Sequence, residues 1–253
     1  MVSRSSSIVA IIGIIVALAC FSGQASADRA CPEDPPTPVM KLPHLRAALS
    51  HGQEGIIVAM GSSSTAGAMA SDPARTYPAE LQSYLYAALP TRHIAVINRG
   101  IGGQDAVREF ARLEADAISV RPQVVIWQVG ANAALRDGDP HLFRELVAAG
   151  VRELQAAEID VILMDNQRAP KLLASGEDSV FNEALADVAH ETGAVLFSRD
   201  QLMESWAQEG DVPVQFVAAD GLHHNDLGYR CIARALGSEI VAAVTPAALS
   251  ASR

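Results

Sequence analysis

Near its carboxyl end the chain reads Asp220-Gly221-Leu222-His223, a carboxylate three residues before an imidazole. On a loop, that spacing lets the carboxylate reach the ring Nδ1 and fix its tautomer, as a general-base histidine requires. Taken alone, the pair equally suits a surface loop with Asn225 or Asp226 capping the helix that follows. A second candidate is Gly61-Ser62-Ser63-Ser64-Thr65-Ala66-Gly67. Its glycines permit a tight turn, and three consecutive serines offer a nucleophile. The same stretch also reads as a helix cap or a phosphate-cradling loop. Gly102-Gly103 and Asn132 complete the set. Acyl transfer needs donors aimed at a developing oxyanion, and backbone N–H groups beside glycine and an asparagine amide are such donors. Their plainer readings are a turn glycine and a capping asparagine.

These residues need elements to carry them. Nearly continuous apolar runs at 55–60, 93–98, 123–128, 160–164 and 194–197 predict strands buried on both faces of a parallel sheet. Between them lie helical patterns. Phe143, Leu146, Val147, Val151 and Leu154 recur at spacings of three and four, as do Ile232, Leu236 and Ile240. Residues 78–89 and 105–118 read as further helices, and 28–45, rich in Pro and charge, as an irregular lead-in. Alternating strands and helices indicate one α/β domain with a parallel sheet. In such sheets ligands gather at the carboxyl ends of the strands. There the sequence places the serine run, Asn98 to Gly103, Gly130 to Ala133, and Asp165-Asn166-Gln167.

Together these segments resemble the SGNH hydrolases, also called the GDSL esterase/lipase family, in block order from the first strand to the last helix. The family's first block, Gly-Asp-Ser-x-Thr-x-Gly, falls on Gly61 to Gly67 and puts the nucleophile at Ser63. The second-block glycine falls on Gly103, the third-block asparagine on Asn132, and the fifth block, Asp-x-x-His, on Asp220 and His223. Ser62 stands where the family usually has Asp, and Ala133 replaces the second acidic residue of the third block. The resemblance implies a single three-layer α/β/α domain over 28–253, built on a mainly parallel, flavodoxin-like five-stranded sheet. It also implies an ester hydrolase working through an acyl-enzyme. In that scheme His223 takes the Ser63 proton, Asp220 orients His223, and the N–H groups of Ser63 and Gly103 join the Asn132 amide in the oxyanion hole. No metal or organic cofactor is called for, and the substrate class is a small-molecule, glycan or lipid ester.

Other readings stay open at this point. The same site serves an acyltransferase or a polysaccharide deacetylase. A flavodoxin-like nucleotide binder is the alternative of another class, but aromatic residues for stacking on a ring make up only 5 % of the chain. A metal site at His223-His224-Asn225-Asp226 lacks a second histidine cluster to supply a third ligand. His190 and His224 read as ordinary surface or partly buried histidines. Trp206 and residues 209–219, just before the catalytic loop, either wall the substrate pocket or pack beneath it.

Composition narrows the setting. A hydrophobic fraction of 49 % over 253 residues is too apolar for a disordered chain, and a formal charge of −10 opposes binding to nucleic acid. Residues 1–27 look like a cleaved export signal: Arg4, the uncharged run 8–21, then Ala25-Ser26-Ala27. The run is shorter than the ~20 residues that span a bilayer. Cleavage near Ala27 would leave an exported chain, periplasmic or secreted, without a membrane span and one unit more acidic. It would also remove Cys20, leaving Cys31 and Cys231 as a candidate disulfide. The oligomeric state is left open.

Overall fold

The computed structural model of the protein describes residues 30–245. The expected signal over 1–27 and both ends of the expected domain 28–253 lie outside the described residues. Five strands form: β1 (Gly55–Gly61), β2 (Ile94–Gly100), β3 (Val124–Gln128), β4 (Asp160–Met164) and β5 (Val195–Phe197). Their order is β2-β1-β3-β4-β5, and every neighbouring pair is parallel, so the sheet is wholly rather than mainly so. β3 and β4 are buried at every position and β1 at all but Ile56. Strands covered on both faces have no solvent side to display, which is why their sequences run apolar without alternation. β2 and β5 are the open edges, and β2 carries the polar Asn98 and Arg99.

The helices are α1 (Pro43–Ser50), α2 (Ser63–Ala66), α3 (Tyr77–Ala88), α4 (Ala106–Phe110), α5 (Leu113–Asp116), α6 (Ala131–Ala134), α7 (Pro140–Ala156), α8 (Pro170–Ser175), α9 (Asp178–Thr192), α10 (Arg199–Gln208) and α11 (Asp226–Val244). One helical layer contains α1, α3 and α11, and the other α4, α7 and α9. The chain crosses from β1 one way to β2 and from β3 the other way to β4. The crevice between β1 and β3 is therefore the switch point, where such sheets bind ligands. α7 starts where Pro140 follows Asp139, whose carboxylate accepts from the N–H groups of His141 and Leu142. Its apolar stripe, Phe143, Val147, Val151 and Leu154, is buried. In α11 the Asn225 side chain caps the first turn, and Ile232, Leu236 and Ile240 face the core.

The expected helix over 105–118 is instead two short ones, α4 and α5. Arg112 leaves helical geometry at φ −115° and ψ 8°, and its guanidinium turns toward the ends of β1 and β2. The irregular lead-in ends in α1, with Pro43 at its first position. Cys31 and Cys231, 200 residues apart, are joined as a disulfide with Cα atoms 5.3 Å apart. Arg234, one turn on, donates to Pro32 O and Asp34 Oδ1, each at 2.6 Å, so α11 holds the lead-in by two means. Trp206 is fully buried with its ring 4.8 Å from that of Phe216, which makes it a packing residue and not a pocket wall. His190 is exposed, whereas His224 is buried at 1 % exposure.

Candidate active site

Strand register sets the platform. Gly100, Gly61, Gln128, Met164 and Phe197 pair in one row across the sheet, so the segments that follow leave from a common edge. β1 gives way at once to α2. Ser63 O accepts from the N–H groups of Gly67 and Ala68 at 3.0 and 2.9 Å, and Gly67, at φ +93°, ends the turn. Of the three serines, Ser62 and Ser64 are buried and only Ser63 is partly exposed. The Ser62 N–H and hydroxyl donate to Gln128 Oε1 at 3.3 Å, as does the Thr65 hydroxyl. Gln128 thus anchors the turn from the end of β3. Gly100 lets β2 press against α2, since a Cβ there would lie 2.1 Å from the Ala66 nitrogen.

The Asp220–His223 loop reaches the serine from the other side. His223 Nε2 lies 2.8 Å from Ser63 Oγ, and its Nδ1 lies 2.6 Å from Asp220 Oδ2. Asp220 Oδ1 accepts from the backbone N–H groups of Leu222 and His223, both at 3.0 Å, which ties the turn onto its own carboxylate. Partial burial works against the charge on Asp220. Hydrogen bonds from the His223 ring and from the two backbone N–H groups outweigh it and hold the carboxyl below its ordinary value. Next door, burial and then the charge of Arg199 push the His224 imidazole down to about 3. His224 Nδ1–H donates to Phe216 O at 3.0 Å, so this second histidine props the loop as a neutral ring.

On the far side, Gly102 lies beside the serine: a Cβ there would stand 4.0 Å from Ser63 Cβ. Gly103 follows in left-handed backbone at φ +76°, a conformation that favours glycine. Three side chains clamp this loop. Arg136 donates to Gly103 O at 3.0 Å, and Asn132 Nδ2 to Gln104 O at 2.7 Å. Arg112 donates to Gln104 Oε1 at 2.6 Å, to Arg99 O at 2.8 Å and to Gly61 O at 3.0 Å. Beneath them Glu109 Oε2 accepts from Trp127 Nε1 at 2.8 Å, and burial pushes this carboxyl up to about 8.

The five candidate site residues therefore follow strand ends at one sheet edge or reach it from the loop before α11: Ser63, His223 and Asp220 in contact, Gly103 on the loop after β2, and Asn132 in α6 after β3, bonded to that loop. Arg112, Arg136 and Gln128 escaped notice. Gln128 had a signal, a polar residue closing an apolar strand; the arginines had none, since their acceptors are backbone and amide groups distant in sequence. Among the described residues, no three His, Cys, Asp or Glu side chains gather as a metal-ligating group.

A sequence profile of the non-GDSL lipase-like family matches residues 29–246. No curated protein sequence matches the chain. Solved structures share the fold. A two-domain esterase (CEX) active on acetylated mannans, crystallised with mannopentaose, superposes with a TM-score of 0.69 at 22 % identity. That match covers 84 % of this chain, which spans only 58 % of the two-domain protein. An acetylxylan esterase from Geobacillus stearothermophilus gives a TM-score of 0.62 at 21 % identity, over 74 % of this chain and 94 % of that one. An α/β hydrolase (LAE5) from the metagenome of Lake Arreo, Spain, gives 0.65 at 20 % identity, over 76 % and 96 %.

Proposed function

The chain belongs to the non-GDSL lipase-like family and is an SGNH-type hydrolase, and from that premise we propose that it is an exported serine esterase working through an acyl-enzyme. The observation that carries this reading is the relay from Ser63 Oγ through His223 to Asp220, at 2.8 and 2.6 Å. Asp220, held as the carboxylate, keeps the proton of His223 on Nδ1 and leaves Nε2 free to accept. Nε2 takes the Ser63 proton as Oγ attacks the ester carbonyl and closes a tetrahedral intermediate. The N–H groups of Ser63 and Gly103 receive the oxyanion. Asn132 Nδ2 has two protons; one is held by Gln104 O and the other serves the oxyanion. Losing one such donor typically raises the barrier by about 3–4 kcal/mol. His223 then protonates the departing alcohol, the ester C–O bond breaks, and water repeats the sequence to free the acid and regenerate Ser63.

Short acyl esters on glycans are the substrate class favoured by kinship with an esterase active on acetylated mannans and with an acetylxylan esterase. Export rests on the 1–27 pattern and fits the disulfide between Cys31 and Cys231. The mature enzyme is then 28–253. Among the described residues no helix is long and apolar enough to cross a membrane. Hydrolysis of p-nitrophenyl esters from acetate to long acyl chains tests the reading: turnover falling with chain length is expected, and Ser63→Ala abolishes it. Full activity in Ser63→Ala would remove Ser63 as the nucleophile.

A further inference from the structure

The polar residues that follow β4 have no part in the chemistry above, yet they are bonded in unusual density. Asp165 Oδ1 accepts from the N–H groups of Arg199 and Asp200 at 2.6 and 3.3 Å, and its Oδ2 from the Ser198 hydroxyl at 2.5 Å. Its carbonyl accepts from the Arg199 guanidinium, with Nε at 2.8 Å. Asn166 N–H donates to Asn182 Oδ1 at 3.2 Å and its amide to Asp178 Oδ1 at 2.8 Å. Arg168 pairs with Asp200 at 3.0 Å. The segment is a bracket bolted to α9 and α10, and Gln167 is its one side chain bonded to the catalytic loop.

Gln167 is fully buried, and its Nε2 donates to Leu222 O at 2.7 Å. Leu222 lies between Asp220 and His223, and its own N–H is bound to Asp220 Oδ1. Both sides of this residue's peptide are thus committed, one to the acid and one to the bracket. Only a donor can face a carbonyl, so the amide is fixed with its nitrogen toward Leu222. Gln167 Oε1 has no hydrogen-bond partner. A buried acceptor left unpaired is unfavourable and rare. The glutamine is therefore not explained as a well-satisfied core amide; what it does is present one N–H to the loop.

We propose that Gln167 is a positioning residue for His223: by holding the Leu222 carbonyl against the rigid end of β4 it sets the reach of the imidazole to Ser63. This inference rests on the reading of Ser63, His223 and Asp220 as catalytic. A backbone tie from Lys171 N–H to Gly221 O at 3.0 Å restrains the start of the loop, and Ala218 N–H to His223 O at 2.8 Å restrains its end. Between them, where Asp220 Oδ1 ties the loop only to itself, the Gln167 bond ties the middle to the segment after β4.

The test compares Gln167→Met, similar in length but without a donor, with Gln167→Glu, which donates only when protonated. Steady-state kinetics on p-nitrophenyl acetate are followed across pH, each variant relative to the unmodified enzyme, alongside thermal unfolding and Ser63→Ala. The expected result for Gln167→Met is a kcat lowered roughly 10- to 100-fold with KM within about twofold, because small misplacements of a catalytic group act on turnover. Gln167→Glu should regain relative kcat as pH falls and its carboxyl takes up a proton. Unchanged kcat in Gln167→Met overturns the proposal, and so does a loss that Gln167→Glu does not recover at any pH. Should Gln167→Met fail to fold, the pH dependence of Gln167→Glu decides alone. Activity surviving in Ser63→Ala would instead overturn the catalytic reading, whatever Gln167 does.

Discussion

The guanidinium of Arg112 donates to Gln104 Oε1 at 2.6 Å, and the carbonyl of that same Gln104 accepts the Asn132 amide at 2.7 Å. Arg112 also reaches Gly61 O, two residues before Ser63, so one side chain joins the serine's strand to the loop expected to receive the oxyanion. A planar fork serves several acceptors at fixed angles, which a lysine ammonium does not. Arg112→Lys is expected to lower kcat by roughly tenfold with little change in KM, through misalignment of the donors. Asn132→Ala should cost more, roughly 100- to 1000-fold in kcat, because it deletes a donor outright. Kinetics on p-nitrophenyl acetate check both. An unchanged kcat in Arg112→Lys, or a rise in KM alone, would separate Arg112 from the alignment of the oxyanion donors.

Glu109 carries a pH dependence of known sign. Burial raises its carboxyl to about 8, against the Trp127 hydrogen bond and the charge of Arg112, which lower it. The unfolded chain releases this proton near the ordinary glutamate value of ~4.3. Between these values the folded state binds more protons than the unfolded state, so stability falls as pH rises. The contribution is whole below ~4 and lost once pH has passed the folded value of about 8. Glu109→Gln keeps an acceptor for Trp127 and removes the ionisation. Its melting temperature should exceed that of the unmodified protein by several degrees at alkaline pH, with the gap closing in acid, where a kcal/mol is worth roughly 2–4 °C in a chain of this size. Parallel melting curves across pH would show that Glu109 is not the group responsible.

The disulfide closes a loop of 200 residues between the lead-in and α11. In the chain-entropy picture such a bridge stabilises by about 2–5 kcal/mol. Reduction should therefore lower the unfolding midpoint, while Ser63, His223 and Asp220, which belong to other elements, keep their geometry and their turnover below that midpoint. Denaturant titrations with and without reductant measure the first, and initial rates the second. Loss of turnover in a chain that remains folded would mean that α11 transmits strain to the loop ending at His223.

Much of this was legible in the residues, and the rest was hidden for identifiable reasons. The apolar runs of β1, β3 and β4 announced a sheet covered on both faces because burial leaves polar residues no place there. Asp220 and His223 were readable because their contact is local, three residues apart. Ser62, Ser63 and Ser64 are alike as residues, and what distinguishes them in the structure is the burial of the outer two and the contact of Ser63 with His223. Arg112 and Gln167 act on carbonyls 51 and 55 residues away, and a backbone carbonyl has no sequence signature. The break after α4 went unread because the run 105–118 has good helix formers, and the pull of Arg112 on Gly61 overrides local propensity. His224 was misjudged because nothing in a pair of adjacent histidines says which one faces inward.

The central claim is that Ser63 is the nucleophile, activated by His223. The most direct measurement is covalent labelling with an organophosphate ester, followed by fragment mass spectrometry of the peptide containing Ser62, Ser63 and Ser64. One adduct per chain on Ser63 is predicted, formed in step with loss of esterase activity, absent from Ser63→Ala and strongly slowed in His223→Ala. An adduct on Ser62 or Ser64, or full inactivation with Ser63 unlabelled, would contradict the account.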